Sequence, residues 1–312
     1  MFDKNKKDKI AETLVVKAKC HSKSKIMNII NKNENYFKIE LKKDNVFALV
    51  ENNIDNLNQK IDSNHHKLGK LVLVGKGMET AANEVFVFKD YPKQFPPNFI
   101  KRRISGQNIK KYYISPQTDY ILYFEDIDKF ENLPEEIQNY LIKNKEVLEN
   151  RADKKRRKTA KWWNYSFPMH KEYYHLEKLW CSYRCKENCF AFDNTGEYIG
   201  LTNTTVIFDT NSQISLKYIL SLLNSKVLNF RYKSIGKQTG GGIFEYFENG
   251  ISKLPIPKIP EVQQQPFIAL VDQILENKKR NIDTTDLEKK IDEMVYKLYD
   301  LTEEEIKIIE GK

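Results

Sequence analysis

Between Gly236 and Pro260 the chain reads GKQTGGGIFEYFENGISKLPIPKIP, and no other stretch restricts the fold as strongly. Gly240, Gly241 and Gly242 carry no Cβ to forbid positive φ, so they suit a tight reversal or a close backbone approach. The apolar residues Ile243, Phe244, Tyr246 and Phe247 follow at once and require burial. Pro255, Pro257 and Pro260 then fix their own φ and push each preceding residue away from helix. The result is a stiff extended ribbon. A polar strip of Lys237, Gln238 and Thr239 leads into the glycines, and helices follow the prolines.

Most of the chain before this point reads as short strands. Leu71–Val74 and Val85–Phe88 are β-branched and aromatic runs on either side of a Gly75-Lys76-Gly77 turn, where Lys76 could touch a phosphate or be a solvated turn lysine. Lys178–Cys181, Phe190–Asp193, Tyr198–Ile199 and Val206–Phe208 continue the pattern, with Asn194-Thr-Gly196 as a hairpin signal. Helices are expected over residues 133–150, where Ile137, Tyr140, Leu141 and Leu148 form a stripe. A further helix is expected over 213–233, capped by Ser215 and lined by Tyr218, Leu222, Leu223, Val227 and Phe230. After residue 260, Gln265-Pro266-Phe267 opens one helix, Asp283-Thr-Thr-Asp286 caps another, and Thr302–Glu305 is a capping box. Residues 1–64 show possible strands at Leu14–Val16, Phe37–Leu41 and Asn45–Val50 and a helical turn at Ile26–Ile30. The expected class is α+β. A curved mixed β-sheet recognition domain over residues 65–260 would carry flanking helices. A small α+β segment, 1–64, would precede it, and a C-terminal helical hairpin, 261–312, would follow.

The charge distribution suggests a polyanionic partner. The net charge is +9, while the stretch from Asn281 onward holds ten acids against five bases. The basic residues cluster beside aromatic and amide side chains. Lys101, Arg102, Arg103, Lys110 and Lys111 are five cations with no acid among them. They enclose Gln107 and Asn108, which can bond adenine edges bidentately, and precede Tyr112, a stacking candidate. Residues 151–163 hold seven bases and one acid and end in two tryptophans. Arg156, Arg157 and Lys161 are phosphate candidates there, and Trp162 a stacking one. Arg184 could read guanine or pair with Glu187. Cys181, Cys185 and Cys189 recur every four residues but lack the paired spacing of structural zinc, so they read as small buried hydrophobes. No run of about 18 apolar residues suggests a membrane span. The N-terminus lacks a signal-peptide core, and four cysteines without framework spacing fit a reducing cytoplasm.

Several stretches carry a resemblance. Gly240-Gly-Gly-Ile-Phe-Glu-Tyr-Phe-Glu-Asn249 with Leu254-Pro-Ile-Pro-Lys-Ile259 is one. Arg103-Ile-Ser-Gly-Gln-Asn-Ile-Lys-Lys-Tyr112 is a second. The helix Leu222-Leu-Asn-Ser-Lys-Val-Leu-Asn-Phe230 and the close from Val295 to Glu305 are others. In this order, over roughly residues 65–310, they resemble the TaqI-like C-terminal specificity domain of adenine-N6 DNA methyltransferases and fused restriction-modification enzymes. Ala81 and Ala82 stand where that family more usually has Gly. The resemblance implies sequence-specific recognition of double-stranded DNA, as a specificity subunit or a part of a longer type II restriction-modification enzyme. The family's catalytic Asn-Pro-Pro-Tyr motif and a glycine-bearing cofactor loop are not found in this sequence. No acidic cluster with strand context suggests a nuclease. S-adenosylmethionine and Mg²⁺ are therefore expected only in a partner catalytic module, which would dock on the acidic C-terminal helices. The alternatives are a divergent methyltransferase or endonuclease, and an assembly protein built on its helical hairpin.

Overall fold

A computed structural model describes residues 10–16, 36–42, 52–116, 118–124, 127–152, 161–167, 173–209 and 214–312. The chain divides into two compact units, Met1–Ser63 and Asn64–Lys312. The smaller unit contains an antiparallel pair, β1 (Ile10–Val16) and β2 (Tyr36–Lys42), in register from Ile10↔Lys42 to Val16↔Tyr36. The expected strands Leu14–Val16 and Phe37–Leu41 fall inside these two. Helix α1 (Asn52–Asp62) follows them. The expected turn at Ile26–Ile30 and strand at Asn45–Val50 lie outside the described residues.

The larger unit is α+β, with its strands shared among several small open sheets. In chain order these strands are β3 (His66–Lys67), β4 (Leu73–Lys76), β5 (Val87–Phe88), β6 (Ile100–Ile104) and β7 (Asp119–Leu122). Then come β8 (Lys178–Ser182), β9 (Arg184–Cys185), β10 (Phe190–Asp193), β11 (Tyr198–Gly200) and β12 (Thr204–Phe208). The last are β13 (Lys237–Gly240), β14 (Ile243–Glu245) and β15 (Pro255–Ile256). One sheet runs β10-β8-β12-β4, all antiparallel. A second runs β11-β6-β7-β5, with β11 parallel to β6. A third joins β13-β14-β9, and β15 pairs with β3.

Several details depart from the periodicity. Leu71 and Val72 precede β4, and Leu73 points to solvent. Val85 and Phe86 end the helical turn α2 (Asn83–Phe86), leaving only Val87–Phe88 as strand. Ala81, in the loop before it, sits at φ 54, a left-handed conformation that Gly would occupy without strain. The Asn194–Gly196 turn does not close a hairpin, because β10 and β11 belong to different sheets. Asp193 Oδ1 accepts from Thr195 N and Oγ1 at 2.9 and 2.8 Å, and this Asx turn redirects the chain.

The core of this unit is aromatic. Phe86, Phe124, Trp163, Tyr165, Tyr173 and Trp180 are buried together. The Tyr165 hydroxyl donates to Leu122 O and accepts from Phe124 N, so its polar end is satisfied. The helix expected over 133–150 is two helices, α3 (Glu135–Lys143) and α4 (Lys145–Glu149), broken at Asn144. Ile137, Leu141 and Leu148 are fully buried, each contributing about 1.5–3 kcal/mol relative to exposure. The expected 213–233 helix is likewise α5 (Leu216–Leu223) and α6 (Lys226–Ile235), with Ser215 and Ser225 as their N-caps. Asn224 makes the break useful: its side chain accepts from Phe190 N and donates to Phe190 O. A short turn, α7 (Glu248–Ile251), follows β14.

The proline ribbon does as its sequence suggests. Its carbonyls are caught by surrounding side chains: Tyr299 Oη donates to Pro255 O at 2.7 Å, Tyr218 Oη to Pro257 O at 2.8 Å, and Gln264 Nε2 to Ile259 O at 3.0 Å. Helix α8 (Glu261–Lys279) begins right after Pro260, so Pro266 lies inside it rather than at its start. Only the first-turn amides lack intrahelical acceptors, and Pro266 is one turn further in. Helices α9 (Thr285–Leu298) and α10 (Glu303–Glu310) complete the chain, the last with the expected Thr302–Glu305 capping box. Helix α8 packs on α5, while α9 and α10 pack on α6.

Candidate nucleic-acid interface

Two concavities meet at the β8–β9 junction, where Arg184 lines one and the neighbouring Tyr183 the other. The first, about 540 Å³, is lined by Arg103, Ser105, Gly106, Gln107, Asn108, Asp119, Ser182, Arg184 and Asn203. The second, about 500 Å³, is lined by Lys76, Tyr183, Thr205, Lys237, Glu245, Phe247, Glu248 and Asn249. Both are open; the first is walled mainly by polar groups, and the second sets its charged groups against the Tyr183 and Phe247 rings.

The backbone fixes their walls. Arg103 lies next to the end of β6, and its guanidinium bonds Asp119 on β7 at 2.7 Å. Asn108 Oδ1 accepts from Ser105 N at 2.9 Å and from Ser105 Oγ at 2.6 Å, tying the turn that follows β6. Gly106 lets this turn lean on β8, since a Cβ there would stand 2.3 Å from Ser182 Oγ. Gln107, between them, is exposed and has no hydrogen-bond partner among the described residues.

The second wall is set by Tyr246. Its N donates to Tyr183 O at 2.7 Å, its hydroxyl donates to Asn188 Oδ1 at 3.0 Å, and its ring stacks on Tyr232 at 4.3 Å. Glu245 is thereby held with its carboxylate 7% exposed, bridging Arg184 at 3.0 Å and Lys237 at 2.9 Å. The hydrogen bonds from Lys237 and then Arg184 hold its carboxyl below the usual range. Arg184 itself is 62% exposed and packs over the Tyr183 ring, 5.7 Å from its centroid. The β13–β14 hairpin projects from this wall. Lys237, Gln238, Thr239 and Gly240 are all exposed, and Gly240, Gly241 and Gly242 all have positive φ. A Cβ on any of these glycines would meet nothing within 4 Å, so the hairpin tip stands in open space.

Thus Lys76, Arg103, Gln107, Asn108, Arg184 and Lys237 meet on one surface, with Gln238 and Thr239 beside them on the hairpin. Other candidates lie elsewhere. Tyr112 is 1% exposed at φ 74, bonded through its backbone to Phe190 and Phe192, so its ring is unavailable for stacking. Its apolar ring has filled the space beside β10. Arg102 packs on Tyr198 and donates to Thr118 and Pro116, on the opposite side of β6 from Arg103. That divergence follows from strand alternation. Lys101 is half-buried, and its charge adds to the larger effect of burial in disfavouring the Lys178 ammonium. Lys111 pairs with Glu288 on α9 at 3.0 Å, while Lys110 is exposed beside it. Lys161 donates to Asp128 O at 2.5 Å, and Trp162 packs on Phe130 with Lys145 above it. Arg156 and Arg157 lie outside the described residues.

Sequence reasoning missed Glu245, Asp119, Ser182 and Asn203. An acid inside the apolar run Ile243–Phe247 was the one available sign of Glu245, and its partners are distant in sequence. Of the two partners open to Arg184 by sequence, Glu187 pairs instead with Lys233, and Arg184 with Glu245. Cys181 is buried and Cys185 and Cys189 half-buried, with burial pushing the Cys189 thiol up to about 12.

This surface lies almost entirely within a known domain. The model of the TaqI-like C-terminal specificity domain matches residues 101–256, half of the chain. The chain belongs to this family. The TaqI-like region runs from β6 through β15 and contains every residue of the interface except Lys76. Among solved structures, the type IIL restriction-modification enzyme MmeI in complex with DNA is similar with a TM-score of 0.57. Its identity is 14%, over 86% of this chain and 37% of that one. At that identity the likeness is one of fold, and it extends beyond the TaqI-like region. The type IIG restriction endonuclease BpuSI is also similar, at 14% identity and a TM-score of 0.48, over 85% of this chain and 36% of that one. The chain therefore spans little more than a third of the length of these two enzymes.

Proposed function

We propose that this chain is a target-recognition module that binds double-stranded DNA and discriminates base sequence within a restriction-modification system. The observation carrying this reading is the convergence of Arg184, Gln107 and Arg103 with Lys76 and Lys237 on one open surface of a TaqI-like fold. MmeI, the similar enzyme, was solved in complex with DNA.

In this reading the roles divide by chemistry. Arg184 presents a guanidinium whose one anchored nitrogen leaves its others free for the O6 and N7 acceptors of guanine. Gln107 presents an unpartnered amide for adenine N6 and N7. A good bidentate contact of either kind is worth about 1–3 kcal/mol of discrimination. Lys76, Lys237, Gln238 and Thr239 serve the phosphate backbone, where each neutralised phosphate releases counterions without reading sequence. Arg103 braces the turn through Asp119. Asn108 spends its acceptor on Ser105 and acts as a brace as well.

Methyl transfer and cleavage belong, in this proposal, to a partner module that supplies S-adenosylmethionine and Mg²⁺. Helices α9 and α10 are its proposed dock, and the cytoplasm the proposed compartment. No helix among the described residues is long and apolar enough to cross a membrane. Selection of bound sequences from a random duplex pool tests the reading. Enrichment of a short defined site is expected, lost on Arg184→Ala or Gln107→Ala at different base pairs. Equal retention of all duplexes, or methyl transfer by the chain alone, overturns it.

A further inference from the structure

The segment that carries Gln107 does not end at the interface. From Ser105 it runs as a narrow excursion whose two sides are pinned together: Asn108 O accepts from Ser115 N at 2.8 Å, Tyr113 O accepts from Lys110 N at 3.0 Å, and Ile109 bridges Ile114. Its far end is Lys111-Tyr112. Tyr112 is held on β10 by two backbone bonds, from its own N to Phe190 O at 2.8 Å and from Phe192 N to its O at 3.0 Å. That residue has a left-handed φ of 74, a conformation costing a non-glycine residue on the order of 1–2 kcal/mol. Its two backbone bonds and its buried ring hold it there.

A further restraint on the tip comes from the last helical layer. Glu288, on α9, receives Lys111 Nζ at 3.0 Å on Oε2. Its other oxygen receives Thr284 Oγ1 at 2.7 Å and lies 3.4 Å from Lys278 Nζ. Its carboxylate is thus fixed before Lys111 arrives, and its side chain is 19% exposed. The Lys111 ammonium also sits 5.7 Å from the centroid of the Tyr112 ring.

We propose that Glu288, acting through Lys111, is a positioning residue for base readout: it locks the tip of the excursion and so holds the Gln107 amide at the interface. The proposal rests on the DNA-recognition reading above. It opposes the plain reading of Lys111 as a phosphate contact, and the two make different predictions.

The test uses the full chain, the duplex enriched by selection, and duplexes altered at single base pairs. Glu288→Gln and Lys111→Met should each weaken binding of the selected duplex roughly three- to tenfold, part of the worth of a bidentate base contact. Binding to unrelated duplexes and the salt slope should stay as in the wild type. The base pair affected should be the one lost in Gln107→Ala, and Lys111→Met should add nothing in the Gln107→Ala background. Lys111→Arg should retain binding. In the absence of DNA, Glu288→Gln should speed hydrogen exchange at the Ser115 amide. An equal loss on all duplexes with a salt slope shallower by about 0.9, one phosphate's worth, overturns the proposal and makes Lys111 a backbone contact. Additive losses with Gln107→Ala, or faster exchange without lost discrimination, overturn it too while leaving DNA recognition intact. A wild-type chain that binds every duplex alike removes the DNA reading itself.

Discussion

Replacing Glu245 by Gln removes one negative charge from the interface and almost no volume. The carboxylate is the shared counter-ion of Arg184 at 3.0 Å and Lys237 at 2.9 Å, although those side chains are 62% and 67% exposed. Losing it leaves one or two cations unneutralised beside the proposed phosphate path. Each phosphate newly neutralised steepens log K against log salt by about 0.9. Over a fourfold salt range, from about 50 to 200 mM, that makes binding fall by a further factor of about 3 to 12. Affinity at low salt rises for all duplexes. Discrimination moves the other way, because Arg184 and Lys237 now compete for a single neutral acceptor oxygen, and the charge-assisted bond that orients the Arg184 fork is lost. The ratio of selected to scrambled duplex affinity should fall roughly fivefold, the lower part of a bidentate guanine contact. Fluorescence anisotropy at several salt concentrations, on both duplexes, reads both quantities, with circular dichroism to verify folding. A folded Glu245→Gln variant with the wild-type salt slope and ratio would refute the argument and reduce Glu245 to a fold residue.

Three further outcomes follow from the fold. Lys178 and Asp193 form a fully buried pair 3.3 Å apart. Lys178→Met should cost about 3 kcal/mol, at the low end for breaking such pairs, because Asp193 keeps bonds from Trp180 and Thr195. Thermal melting should drop by about 6–12 °C, and Lys178→Met with Asp193→Asn should recover most of it. A Cβ on Gly77 would come within 2.2 Å of Leu201 O and 2.6 Å of Gly200 O. Gly77→Ala should therefore destabilise by about 3 kcal/mol or more, whereas Gly241→Ala, in open space at φ 59, should cost only about 1 kcal/mol by melting. Bonds from Lys226, Lys312 and Tyr296 hold the Glu310 carboxyl down from 4.5 to about 2. Its folded value is the lower one, so its contribution is present above about 4.5 and is lost as pH falls toward 2. Urea unfolding of Glu310→Gln across that window should lack this part of the wild-type acid sensitivity.

The elements with strong local signals were legible. Ser215, the Thr302–Glu305 box, the glycine tip and the proline ribbon each depend on residues within a few positions, and each folds accordingly. Boundaries failed where tertiary demands override local preference. Val85 and Phe86 have strand-forming side chains, yet they close a helical turn because both are buried in the core. Asn224 breaks an otherwise continuous helical pattern to satisfy Phe190 from thirty-four residues away. The same limit governs the interface. Charge and aromatic clustering pointed to the β6 turn and to Arg184, but clustering cannot say which cations are already paired. Lys111 found Glu288, Lys161 found Asp128 and Tyr112 found the core, each through contacts between segments far apart in sequence.

Strands β3 and β15 open and close the sheet-bearing part of the larger unit, and they lie side by side. The polypeptide enters that part where it leaves for the helices, and Tyr299 fastens the seam by bonding Pro255. Everything between is a loop out and back from a single doorway. A body with one doorway can be lifted from one host sequence and set into another without prying the host apart. Moving this body between host chains then becomes a matter of cutting at two neighbouring points.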